Sequence, residues 1–146
     1  MKNLILALFA ISLSASGQTY DAALAEKLGA DQYGMKSYIL VMLKTGSNTT
    51  ADQTTVNQLF RGHMDNIGKL AADEKLVVAG PMMKNDKSYR GIFILNVKTK
   101  DEALKLLESD PAIREKLLDA ELYEWYGSAA LAEHLPIHEK IQKTKI

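Results

Sequence analysis

Apolar residues run without a break through Tyr38-Ile39-Leu40-Val41-Met42-Leu43, and the run ends at Thr45-Gly46-Ser47-Asn48. Such a run closed by turn-forming residues predicts a strand. The period then changes. At 100° per residue, Val56, Leu59, Phe60, His63, Ile67, Leu70 and Ala71 fall within one arc of roughly 120°, the signature of an amphipathic helix. Arg61, Asp65 and Lys69 point the other way. Thr50 or Asp52 can cap this helix, which is predicted to run to about Asp73. Leu76-Val77-Val78-Ala79-Gly80 is a second predicted strand, closed by Pro81, and Gly91-Ile92-Phe93-Ile94-Leu95-Asn96-Val97 is a third. Thr99 caps a helix carrying Ala103, Leu104, Leu106 and Leu107; Asp110-Pro111 breaks it, and Ala112 to Leu117 adds a turn or two. Leu122 to Tyr126 is the fourth strand. Ahead of these elements, Asp21 to Leu28 reads as a short helix stopped by Gly29.

The order β-α-β-β-α-β predicts an α+β, ferredoxin-like fold: an antiparallel sheet with two helices on one face. A sheet with one wet face alternates apolar and polar residues. The first three strands do not alternate, so both faces must be covered. With the helices on one face, the same sheet from a second copy is the expected cover for the other. A homodimer packed sheet to sheet follows, with a cavity between the sheets or at their edges. In the fourth strand Glu121 and Glu124 fall on opposite faces, and Tyr123 and Trp125 share one, as interface packing.

The N-terminus opens with Met1-Lys2-Asn3, continues with an apolar run from Leu4 to Leu13, and reaches the small residues Ala15-Ser16-Gly17. The run is too short for a permanent membrane span. The pattern predicts a signal peptide over residues 1–17, cleaved near Gly17-Gln18, and a periplasmic or secreted protein with no membrane attachment after cleavage. The chain then divides into a leader, 18–34, a domain, 35–128, and a partly helical tail, 129–146.

The 146 residues suit one domain, and 18 basic against 18 acidic side chains give no electrostatic footprint for nucleic acid. There is no cysteine, which excludes disulfides, thiolate zinc sites and a cysteine nucleophile. No glycine-rich phosphate loop and no serine nucleophile motif is present. His134 and His138 are four apart, but Pro136 lies between them and no glutamate completes a zinc motif, so no metal is expected. Lys140, Lys143 and Lys145 make a mildly basic, solvated end.

His63 carries the candidate chemistry. It lies near the centre of an apolar helical arc, where a leucine or isoleucine is the ordinary choice. A buried imidazole needs partners for its nitrogens, and it titrates near neutral pH. It is either a structural hydrogen-bonding group or the working group of a pocket. Asp110, at the break between the helices, can hold one ring nitrogen and leave the other free to exchange a proton. Its bland role is a helix cap. Gly80-Pro81 ends a buried strand and permits another backbone or a ligand to come close. Arg90 can pair with a substrate carboxylate.

His63, then Lys75-Leu76-Val77-Val78-Ala79-Gly80-Pro81, then Tyr89-Arg90-Gly91-Ile92, Glu102-Ala103 and Asp110-Pro111, together resemble the YCII-related family over about Met35 to Ala129. The resemblance implies a dimeric α+β barrel and a His-Asp active site, with His63 and Asp110 in those places. It also implies a small organic ligand, no cofactor, and acid-base chemistry of lyase or isomerase type. Some relatives act on chlorinated aromatic ring-cleavage compounds, and the wider group includes muconolactone isomerases. Two stretches depart from the family pattern: Asp73-Glu74, where glycine is usual, and Glu115-Lys116, where small residues are common. The alternatives are a non-catalytic ligand-binding or structural dimeric module of the cell envelope, and an envelope protein that captures a partner with its helical tail.

Overall fold

The computed structural model describes residues 19–144. The expected signal peptide, its cleavage point and Lys145 lie outside the described residues. The elements are α1 (Ala22–Leu28), β1 (Met35–Thr45), α2 (Gln53–Ala72), β2 (Leu76–Pro81), β3 (Tyr89–Leu95), α3 (Lys100–Leu107), α4 (Pro111–Arg114) and β4 (Leu118–Ser128), followed by a 3₁₀ segment (Ala129–His134) and α5 (Leu135–Ile141). The strands form one antiparallel sheet in the order β2-β3-β1-β4. This is the ferredoxin-like α+β arrangement, with β1 and β3 at the centre.

Local chemistry starts the helices where the sequence predicts, although α4 stops at Arg114, short of the expected Leu117. The Asp52 carboxylate accepts from Thr55 N–H at the start of α2, and Thr99 does the same for Glu102 N–H at α3. Asp110 caps α4, with Pro111 in its first turn. Beyond α4 the chain turns at Lys116, whose φ of 60° ends the helix before Leu117. β4 therefore begins four residues earlier than its apolar run suggests, because pairing with β1 continues through Asp119 and Glu121.

Ile39, Val41, Leu43, Phe93 and Leu95 put their side chains on one sheet face, under Leu70, Ala103, Leu107 and Ala112 of the helices. The opposite face is covered differently from the expectation. There Tyr38, Val77 and Ile94 are buried, and Leu131 and Ala132 of the chain's own 3₁₀ segment pack on them. Tyr38 Oη donates to Ser128 O at 2.8 Å, and Ala129 N–H donates to Gly34 O at 2.9 Å, which fixes the tail at this end of the sheet. The premise that only a second copy can cover this face thus fails for the half nearest Tyr38. Leu40, Met42 and Ile92 remain half-buried on the other half, and Tyr123 is 49% exposed. Trp125 is an internal packing group, with its ring 5.7 Å from that of Tyr38.

Candidate functional site

α2 brings His63 over the sheet face that carries Phe93. The imidazole stacks on the Phe93 ring at 5.7 Å and meets the edge of Phe60 at 6.1 Å. Asp110 reaches it from the α3–α4 turn. The reason for the approach is a steric fit one residue away on each chain segment. Gly62 faces Pro111 so closely that an added Cβ at residue 62 falls 2.5 Å from Pro111 Cγ. That contact docks the start of α4 onto α2 and delivers Asp110 to His63.

The pair is close and enclosed. His63 Nδ1 lies 2.6 Å from Asp110 Oδ2, with side-chain exposures of 10% and 0%. Asp110 Oδ1 accepts from the N–H groups of Ala112 and Ile113, at 3.0 and 3.4 Å. The buried carboxylate is thereby held at both oxygens, as a buried charge requires. An ionised carboxylate only accepts, so Nδ1 carries the proton and Nε2 is the basic nitrogen. Nε2 has no partner among the described residues, and it is not one of their fully sealed polar atoms.

A second polar pair lies beside the first and was not singled out from the sequence. Ser109 Oγ donates to Leu106 O at 2.6 Å and lies 2.8 Å from the Asn66 side-chain amide. Asn66 is three residues after His63 and, like it, buried. Its only signal in the sequence is a polar residue at the margin of the apolar arc.

The other candidate positions do not join His63 and Asp110. Gly80 pairs with Ile92, on the sheet face opposite Phe93, and Arg90 falls on that same opposite face by strand alternation. Pro81 pairs with Gly91 at the end of β2 and is exposed. A Cβ at Gly80 meets nothing within 4 Å, whereas one at Gly91 falls 2.8 Å from Gly80 O. The close backbone approach expected at Gly80 therefore resides in Gly91. Two surface clefts lie elsewhere. One of about 470 Å³ lies on the outer side of α2 along Thr54, Gln58, Arg61 and Asp65. The other, about 240 Å³, lies by Ser37, Lys98, Glu124 and Trp125. Neither includes His63. Among the described residues no cluster of three histidine or acidic side chains is placed to hold a metal ion, and no helix is long and apolar enough to cross a membrane.

No family model and no curated protein matches the chain. Among solved structures it is similar to the 5-chloro-2-hydroxyhydroquinone dehydrochlorinase TftG from Burkholderia phenoliruptrix AC1100, in complex with 2,5-dihydroxybenzoquinone, at 19% identity and a TM-score of 0.42, covering 60% of this chain and 92% of that one. A likeness at this level bears on neither the activity nor the ligand of this chain.

Proposed function

We propose that this chain is a YCII-type domain that binds a small organic molecule, and that His63, oriented by Asp110, moves a proton in an isomerase-like or lyase-like step. One observation carries the reading. A fully buried carboxylate, itself held by two backbone N–H groups, fixes Nδ1 of an imidazole whose Nε2 has no partner. A fixed tautomer with one free basic nitrogen is what general base catalysis needs. The test is His63→Gln in the full chain, screened against enolisable carbonyl and lactone compounds. Loss of turnover with an unchanged melting temperature supports the reading. Equal turnover in the variant overturns it.

A second reading is favoured by the enclosure of the imidazole, whose side chain is only 10% exposed: the pair is then a polar clamp between α2 and α4. In that case His63→Gln leaves Asp110 short of a partner and costs roughly 1–3 kcal/mol of stability.

Two further parts of the proposal concern assembly and location. The uncovered half of the sheet, around Met42, Ile92 and Tyr123, packs against the same surface of a second copy. Native mass spectrometry tests this, since Met42→Asp should convert a dimer to a monomer. The protein is exported and processed before Gln18, which N-terminal sequencing of the protein recovered from its host checks.

A further inference from the structure

The cleft of about 240 Å³ by Ser37 and Lys98 lies away from His63, and strand register explains its shape. Ser37 pairs with Tyr126 and Ile39 with Glu124. Ile39 points to the helices, so Ser37, Glu124 and Tyr126 share that sheet face by alternation. Ser37 is the smallest of the three and lies on the inner strand β1, which makes a low floor beside a taller wall on β4. Lys98 follows β3, the strand on the other side of β1, and supplies the second wall. β3 and β4 stand two strand spacings apart, about 10 Å. Ser37 is four residues along β1 from Val41, the partner of the Phe93 that stacks on His63, or roughly 13 Å.

The two walls carry opposite charges that are not used on each other. Lys98 and Glu124 line the cleft together, both are exposed, and neither belongs to an ion pair among the described residues. The neighbouring charged groups are engaged. Lys36 Nζ donates to Leu28 O at 3.1 Å, the Asp31 carboxylate accepts from the Tyr126 hydroxyl, and the Glu102 carboxylate accepts from the backbone N–H of Lys98 at 3.1 Å. One ammonium and one carboxylate therefore flank a serine floor, outside ion-pair distance of each other.

We infer that this cleft binds a free α-amino acid, with the ligand carboxylate on the Lys98 ammonium and the ligand ammonium on the Glu124 carboxylate. The site is separate from the His63–Asp110 pair and does not depend on the reading of that pair. A ligand with a single charge pairs with one wall and meets a like charge on the other. A zwitterion satisfies both. A charge-assisted contact takes about 2.7–2.9 Å at each wall, and the ligand's own charged ends fill the rest of the gap. Ser37 Oγ, on the floor, can donate to the ligand carboxylate. The volume is below the about 300–1,000 Å³ of clefts that take drug-sized ligands, which suits a ligand of this size. Both walls are open to water, so the affinity is weak, in the millimolar range, and falls as salt rises.

The experiment is an amide NMR titration of the full chain with L-alanine, with acetate and methylammonium as singly charged probes at matched ionic strength. Alanine should shift the backbone amides of Ser37, Lys98 and Glu124 along one saturable curve, and neither single-charge probe should reproduce it. Lys98→Gln and Glu124→Gln remove no core contact, and the amide spectrum itself reports that each is folded. Each should weaken alanine binding by about tenfold, the low end for a hydrogen bond to a charged group. No saturable shift with alanine overturns the inference. Undiminished binding in either variant overturns it too, as does acetate or methylammonium giving the same shifts as alanine at the same residues.

Discussion

Two glycines on one helix give a matched experiment on what holds His63 and Asp110 together. Gly62 and Gly68 both lie inside α2, and alanine in place of glycine in a helix interior is intrinsically favourable by roughly 0.5–1 kcal/mol. At Gly68 an added Cβ meets nothing within 4 Å. Gly68→Ala should therefore stabilise the protein by about that amount. At Gly62 the same atom falls 2.5 Å from Pro111 Cγ and 3.6 Å from Pro111 Cδ. The obstacle is a proline ring, whose φ is locked, and not the tip of a flexible chain. α4 must retreat, at an overpacking cost of roughly 1–3 kcal/mol. Setting the propensity gain against this leaves Gly62→Ala less stable by up to about 2.5 kcal/mol. The retreat also displaces Asp110, the residue before Pro111, and lengthens its 2.6 Å contact to His63. Urea unfolding of the two variants measures the energies, and the imidazole NMR chemical shifts of each read the contact. Gly62→Ala as stable as Gly68→Ala, with unchanged His63 ring chemical shifts, would refute the account of how α4 positions the carboxylate.

Glu74 and Lys116 sit at φ 56° and 60°, where a side chain costs roughly 1–2 kcal/mol. Glu74→Gly and Lys116→Gly should each raise stability by about 1 kcal/mol in thermal unfolding, the relief being partly offset by glycine's entropy. Leu131→Ala should destabilise by about 1–2 kcal/mol and increase dye binding to the sheet, as the cover over Tyr38 and Ile94 thins. The Lys44–Glu121–Tyr123 group should make stability fall at both ends of the pH scale. Hydrogen bonds from Lys44 and Tyr123 hold the Glu121 carboxyl below its usual range, so its contribution is lost as pH falls through the folded value. The same contacts to Glu121 hold the Lys44 ammonium and the Tyr123 phenol above theirs, so their contribution is lost as pH rises through the folded values. Glu121→Gln should flatten both limbs in chemical denaturation run across pH.

The strands and helices of the domain were legible because their periods are clean and capping residues precede the helices, with Thr99 and Asp110 singled out and Asp52 as one of two choices. β4 was legible only at its apolar middle, since pairing with β1 carries it through polar residues that burial does not select. His63 with Asp110 could be anticipated because the ferredoxin-like order lays both helices on one face. Asn66 with Ser109 could not, since two polar residues at the margins of helices look solvated until the seam between them is seen. The cover on the second sheet face was also hidden. Leu131 and Ala132 lie in a segment without a period, and the bonds from Tyr38 to Ser128 and from Ala129 to Gly34 turn that segment back over the sheet. The two departures from the family pattern gained a physical meaning, because Glu74 and Lys116 both occupy backbone conformations that favour glycine.

Met35 and Ser128 are partners at the extremity of the β1–β4 ladder, and the leader and the tail both depart from that point. The Tyr126 hydroxyl on the Asp31 carboxylate and the Ala129–Gly34 bond clasp the two segments there. The leader and the tail leave the sheet at one corner and are tied to each other there, so neither can loosen at that corner without freeing the other.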